Sequence, residues 1–391
     1  MKRFIVCVLA MFVITETFAI KGFALLSADY NYADKWNKGL YEKGPALSSV
    51  KEVYRNQKFY LLAVASDFVM NPNGFAKVYY SVEIDGPNGK QPIGWRDKLM
   101  FGWKCTKGVM YLAENPLCLS LDDNSPYGEY RVHVTVKDHY TGKSFEKDLK
   151  FNLVELPAVD AKTQIDMKTY NKWFSAYHRD PKPGQAISHY LTFVRSDAIK
   201  KRGRFIVGLN FFAEVLRNNP YLAKQAMDVY PELEDEAAFR LALLLHVSKT
   251  APQEFFDKME GKSKEVYLSM KDKPFPDVYG VVTSGRSLDA LWAKFLAGGE
   301  YKAIHRLIQT LEYADSKGGL EAFKTSEKTA EDKKKAVREA VYNALIWSMK
   351  NNCKRHYQVR GYMRWALKNE ELTSLQRSEL EKILKEWQAG A

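Results

Sequence analysis

Several residues in this sequence have types and spacings that could do chemistry. Cys105 and Cys118 lie in one β-rich stretch, separated by a loop containing Gly108, Asn115 and Pro116. In an oxidising compartment this spacing reads as a disulfide, worth roughly 2–3 kcal/mol by loop closure; the alternative is two buried thiols on facing strands. Arg360, Arg364 and Lys368 recur at i, i+4 and i+8, so they form one cationic row beside an apolar face with Tyr362 and Trp365. Such a row is a candidate anion-binding stripe for a glycan or lipid headgroup, and its phosphate contacts would weaken steeply with salt. A solvated helix face is the plainer reading.

The histidines are less suggestive. His133 and His139 flank one hairpin but lack a third ligand at any metal-site spacing. His178-Arg179-Asp180 could supply half of an acid–base pair, yet its place just before Pro181 suits helix termination. His246 sits in a segment that is apolar nearly all round, as a core histidine would. Cys353 has His356 within helical reach, the kind of neighbour that activates a thiol, but its basic neighbours Lys354 and Arg355 read as surface, and Cys353 as structural. Gly261-Lys262-Ser263 ends like a phosphate-binding loop, but Phe256 stands where the first glycine is needed. There is no H-E-x-x-H, G-x-S-x-G or C-x-x-C. The expectation is no cofactor, no metal and no catalytic set.

The elements that must position these residues fall into two grammars. Met1-Lys2-Arg3, the apolar run Phe4–Ile14 and Thr17-Phe18-Ala19 read as a signal peptide over residues 1–19, too short to span a bilayer. Cys7 lies inside its apolar run. The expected product is an exported, periplasmic or secreted, protein with no transmembrane segment. From Val50 the period is two. Val78, Tyr80, Val82 and Ile84 alternate with polar residues, Asp85–Gly89 turns the chain, and Tyr130, Val132, Val134 and Val136 precede a turn at Asp138–Lys143. Short strands over about a hundred residues predict a β-sandwich domain over residues 25–155. Its closing G-x-Y strand and D-x-x-x-G-K turn resemble those of immunoglobulin-like and fibronectin-type modules of exported bacterial proteins. Trp36 and Tyr41, in the polar approach before it, are expected to pack on the domain behind.

Past Pro157 the period becomes 3.6 and stays there, predicting an all-α domain over residues 161–391 built of irregular antiparallel helix pairs. The clearest unit is Ser287–Tyr313. Leu288, Leu291, Trp292, Phe295 and Leu296 form one stripe, Ser287 reads as its cap, and Gly298-Gly299 ends it before Tyr301, Ile304, Leu307, Ile308 and Leu311 form the next. Residues 236–248 read as a central helix, and Thr373-Ser374-Leu375-Gln376 as a capping box. The longest irregular loop, residues 273–285, carries Asp277 and Tyr279, with Arg286 just beyond it.

Three segments of this half resemble a family of uncharacterised exported bacterial proteins: Trp173–Tyr177 before the Pro-x-Pro turn, Phe211–Pro220 (FFAEVLRNNP), and Leu288–Glu300 (LDALWAKFLAGGE). The resemblance implies a helical fold and brings no activity or catalytic residues, and the β-rich part departs from the helix-only pattern. The chain has 391 residues, 46% of them hydrophobic, and a net charge of +12 that is concentrated in the helical half. A basic domain can meet anionic surfaces, but nucleic acid is a poor partner outside the cell. The reading is a non-enzymatic binding or scaffolding module of the cell envelope, with a protein partner held by the helical array. The alternative is a hydrolase of an envelope polymer, with its site near the domain junction or the 273–285 loop.

Overall fold

The computed structural model describes residues 20–39, 45, 47–200, 202–273, 277–325 and 329–389. The expected signal peptide, Cys7 and Tyr41 lie outside the described residues, as do positions 274–276 of the long loop. The N-terminal part is built of mixed β-sheets and the C-terminal part is helical. Among the described residues no helix is long and apolar enough to cross a membrane.

Among the described residues nine strands form two sheets: β1 (Lys21–Ser27), β2 (Glu52–Val53), β3 (Phe59–Ser66), β4 (Val78–Gly86), β5 (Gly89–Phe101), β6 (Tyr111–Leu112), β7 (Leu117–Leu119), β8 (Gly128–Asp138) and β9 (Ser144–Leu153). One sheet runs β1-β3-β6 with β7 also on β3, and the other runs β2-β9-β8-β4-β5. The period of two has its expected consequence. Val78, Tyr80, Val82, Ile84, Tyr130, Val132, Val134 and Val136 are all buried, and Val82 pairs with Val134 across the β4–β8 ladder. The Asp138–Lys143 turn is held by a carboxylate. Asp138 is 1% exposed and accepts from the Val69 and Tyr140 amides (both 2.9 Å) and the Thr141 hydroxyl (3.0 Å).

The α-helices are α1 (Tyr32–Asn37), α2 (Met167–Ala176), α3 (Ala186–Arg195), α4 (Arg202–Asn218), α5 (Leu222–Val229), α6 (Asp235–Ser248), α7 (Gln253–Asp257), α8 (Gly261–Met270), α9 (Gly285–Gly298), α10 (Tyr301–Thr310), α11 (Gly319–Thr325), α12 (Ala330–Arg355), α13 (Tyr357–Asn369) and α14 (Ser374–Ala389). Their apolar residues form two clusters that meet at α9. Ala293 and Ala297 belong to the first, with Trp173, Tyr190, Phe212 and Leu241. Leu288, Leu291, Trp292 and Phe295 belong to the second, with Ile304, Leu345, Met363 and Ile383. One helix thus closes two cores, so Leu291→Ala is expected to cost about 2–5 kcal/mol. The helix begins at Ser284 rather than after Ser287. Gly299 ends it in the left-handed conformation (φ 71°), where glycine meets no Cβ penalty. The predicted box at Thr373 is formed: its amide donates to Gln376 Oε1 (3.0 Å) and its Oγ1 accepts from the Gln376 amide (3.2 Å).

By packing, the chain divides into two compact units, and the division differs from the single break read near Pro157. One unit comprises Met1–Leu25, Leu61–Leu117 and Gly128–Phe151, of which the described residues begin at Ile20; the other is Leu26–Tyr60, Cys118–Tyr127 and Asn152–Ala391. The physical reason is α1 and its flanks, whose polar side chains bond to helix ends rather than to strands.

Candidate functional site

Helices α2, α4 and α9 each end in a sequence that forbids continuation: Pro181 and Pro183 follow α2, Asn218-Asn219-Pro220 closes α4, and Gly298-Gly299 closes α9. A helix end leaves carbonyls without intrahelical donors and carries partial negative charge. The Leu26–Tyr60 segment supplies what these ends lack. Lys35, 0% exposed, places Nζ 2.8 Å from the His178 carbonyl, and Asn31 Nδ2 donates to the Gly298 carbonyl (3.3 Å). Tyr362 Oη donates to the Gly299 carbonyl (2.8 Å). A Cβ on Gly298 would fall 1.7 Å from Tyr30 Oη, so only glycine admits the tyrosine here.

Burying an ammonium requires a counter-charge. Asp29 provides it 2.5 Å away, and it also accepts from the Ser48 amide (2.6 Å), the Ser48 hydroxyl (3.0 Å) and the Ser27 hydroxyl (3.2 Å). Glu214 of α4 is shared by Lys294 (2.5 Å) and Arg217 (2.6 Å). Glu300 bonds to Tyr279 and accepts from Tyr30 Oη (3.4 Å). Burial pushes the Glu300 carboxyl above its usual range, and burial with the Glu300 charge pushes the Tyr30 and Tyr279 hydroxyls up.

These ends surround a cleft of about 250 Å³. Tyr60, Tyr177, Pro181, Pro183 and Pro220 give it an aromatic and prolyl wall. Its amides are already engaged: Asn56 with Asp123 (3.0 Å), Asn218 with Glu214 (3.3 Å), and Asn219 with the Val215 carbonyl (2.8 Å) and the Tyr221 hydroxyl (3.3 Å). His178 differs. It is 2% exposed, lines the cleft, and among the described residues has no hydrogen-bond partner on either ring nitrogen. Against it stands the His356 ring, 4.8 Å away edge-on, whose Nδ1 is also without a partner among the described residues. A buried unsatisfied polar group costs about 1–3 kcal/mol, so the two histidines weigh on the stability of this core. Burial, with His356, Lys35 and Arg179 adding to it, holds the His178 imidazole well below the usual histidine range. Burial brings His356 down to about 4.

The sequence-predicted residues are placed otherwise. Cys105 and Cys118 do not form the expected bridge; both are free thiols. Cys105 Sγ lies 3.5 Å from the Trp103 carbonyl, whereas Cys118 is an exposed residue of β7 beside Tyr60, so each side chain is committed to its own neighbours. The Arg360, Arg364, Lys368 row is not an open stripe. The Arg360 guanidinium stacks on Trp387 at 4.4 Å and donates to the Cys353 carbonyl (2.6 Å), Arg364 lies over the same ring at 5.2 Å, and Lys368 alone of the three is exposed. His133 bonds Asp148 at the surface (2.7 Å), and no metal-ligand cluster occurs among the described residues. Asp277 and Arg286 are exposed; Asp277 accepts from the Tyr279 amide (2.9 Å), while the Tyr279 hydroxyl turns inward to Glu300. The described end of the loop is pinned, with Arg306 on the Gly280 carbonyl (3.0 Å) and Tyr313 on that of Val282 (3.0 Å). Sequence reasoning missed Asp29 and Lys35, which lie in the polar approach without period, and Lys58, just ahead of β3. The available signal was a lysine and an aspartate among tyrosines with no strand or helix pattern to expose them. The three segments behind the family resemblance do meet: Tyr177, Arg217 to Pro220, and Ala297 with Gly298 all line the cleft.

No family model and no curated protein matches the chain. Among solved structures it is similar to a family 123 glycoside hydrolase from Clostridium perfringens, described for glycolipid glycan hydrolysis, at 12% identity and a TM-score of 0.23 over 47% of this chain and 37% of that one. It is also similar to native alpha-2-macroglobulin of E. coli (11% identity, TM-score 0.20, 94% of this chain and 25% of that). A third likeness is to Salmonella alpha-2-macroglobulin reacted with methylamine (10%, 0.20, 93% and 26%). The chain spans little more than a third of the first and about a quarter of the others. Scores this low establish no shared fold.

Proposed function

We propose that the chain is an exported, non-enzymatic binding protein of the cell envelope that holds a polypeptide partner in the cleft at the ends of α2, α4 and α9. In this reading residues 1–19 are a signal peptide and the β-rich part is an immunoglobulin-like sandwich. The supporting observation is how the cleft is furnished. Asp29, Asn56, Asn218 and Asn219 each make internal bonds, and rigid tyrosine and proline rings stand beside them in the wall. A preformed recess walled by rigid rings is a recognition surface. Acid–base chemistry needs a proton acceptor poised beside its partner, and His178 faces cations and another histidine.

The test is site-specific crosslinking in cells. A photoreactive residue at position 58, on the cleft, is expected to give one discrete polypeptide adduct. The same residue at position 333, on the exposed face of α12, is expected to give none. Adducts that are glycan or lipid, or absent at position 58, would overturn the reading.

A further inference from the structure

We infer that a loop pair of the β-rich unit, residues 67–76 and 102–110, docks on the surface of a lipid bilayer and sinks its tip into the acyl boundary. Phe75, Leu99, Val109 and Met110 are each 43% to 51% exposed. Met70 bridges to Ala76 and Phe75 to Lys104, and the Cys105 and Ala76 amides donate to the Gly74 and Trp103 carbonyls (both 3.0 Å), so the two loops hold each other. Gly108 (φ 78°) turns the second loop ahead of Val109 and Met110, and Leu99 of β5 lies beside Gly102. A recess of about 320 Å³ opens between Phe68, Val69 and Met70 on one loop and Gly108 and Val109 on the other. Underneath, Phe68 meets Phe101 edge-on (5.1 Å between ring centres) and Phe101 lies 5.4 Å from Trp103, which gives the tip a firm base. Bare apolar side chains gathered on one preformed tip mark an interaction surface rather than ordinary exposure.

Charge and strand geometry choose the occupant. The charged residues on the two loops are Asp67, Lys104 and Lys107, and Asp67 is paired with Lys21 (3.2 Å), which leaves the tip cationic. The adjoining end of β5 adds Asp97 and Lys98, which cancel. A second copy docked on the same face would bring these lysines together across a two-fold axis. A polypeptide adding to β5, the edge of its sheet, would meet a strand whose register on β4 slips three times, a blunted template. A bilayer suits both features. Its acyl boundary takes the apolar tip, and the lysine stems can lie along that tip while their ammonium groups reach lipid phosphates. Apolar burial rather than charge then supplies most of the binding, so retention resists salt.

The experiment sediments the full-length protein with phosphatidylcholine vesicles at low and high salt. The protein is expected to travel with the vesicles at both. Val109→Asp/Met110→Asp, at two exposed positions, is expected to lower the bound fraction roughly ten-fold with an unchanged thermal unfolding curve. Val281→Asp, at an exposed valine of the helical unit, is expected to leave the bound fraction as it was. Met110→Trp is expected to add fluorescence that lipid brominated on its acyl chains quenches, beyond the quenching of the wild-type protein. Release by high salt, or no added quenching, would overturn insertion in favour of adsorption to headgroups. An equal loss in Val281→Asp would overturn the site. No sedimentation, or a dimer in solution that the double aspartate variant splits, would overturn the inference. None of these outcomes bears on the cleft, which the crosslink at position 58 tests separately.

Discussion

The Lys35 ammonium lies 2.5 Å from the Asp29 carboxylate, and both side chains are removed from solvent, at 0% and 4% exposure. The pair joins two stretches that sequence reading had separated. Asp29 draws in Ser27 and Ser48 of its own segment, while Lys35 reaches across to the end of α2.

Breaking this pair on one side strands a buried charge. Lys35→Met or Asp29→Ala alone is therefore expected to destabilise the protein by about 3–5 kcal/mol. The double variant Asp29→Ala/Lys35→Met is expected to lose distinctly less than the sum of the two. Urea unfolding of the four proteins measures the coupling. Additive losses would show that the two charges do not depend on each other.

How much of this could be read in the sequence depends on whether a residue's role is periodic. The alternation of Val78 to Ile84 and the stripes of α9 and α10 were legible, because burial repeats at a fixed interval along one element. The box at Thr373 was legible because it closes within four residues. Gly298-Gly299 was half legible. Gly299 ends the helix as read, but Gly298 makes room for Tyr30, 268 positions earlier, and nothing local announces that. The same holds for Lys35 and His178, whose meaning lies in contacts across more than a hundred residues. It holds also for Arg360 and Arg364, whose spacing is right for a stripe until Trp387 covers them. Local rules find elements, and the cleft is made where three of them stop.

The buried histidines give the fold a pH dependence of known sign. His178 faces Lys35 from α1, Arg179 from its own segment, and His356 and Phe295 from the helices packed on it; His356 faces Arg179, Arg355 and Arg360. No carboxylate among these rewards protonation. Both folded-state pKa values lie below the unfolded value of about 6.5. The unfolded chain therefore binds more protons as pH falls below that point, and stability falls with it. Stability from these groups is full above pH ~6.5 and is lost downward toward about 4 for His356, by up to about 1.4 kcal/mol per pH unit for each histidine. Thermal unfolding at pH 7.5, 6 and 5 is expected to show the decline, and His356→Asn a shallower one. An unchanged slope would remove His356 from the account.

Thiol accessibility offers an independent reading of the β-rich part. Cys118 is exposed on β7, whereas Cys105 is half-buried and burial pushes its thiol up. Alkylation of the native protein is expected to label Cys118 first and Cys105 slowly, with Cys353, 0% exposed, reacting only on unfolding. The labelled mass is expected to be the same with and without prior reduction. A difference would mean that Cys105 and Cys118 pair after all.

Trp387 decides between the two readings of the basic row on α13. If Arg360 and Arg364 serve packing, removing the ring removes two cation–π contacts and the apolar area that joins α14 to α13. Trp387→Ala is then expected to cost about 2–4 kcal/mol, with about 0.5–1 kcal/mol of that from each cation contact. The wild-type protein is expected to show little salt-dependent retention on anionic vesicles, and Trp387→Ala more, because uncovering the guanidiniums returns them to solvent. Strong wild-type retention that falls on charge reversal at Arg360 and Arg364, with stability unchanged in Trp387→Ala, would instead make the row a binding surface in its own right.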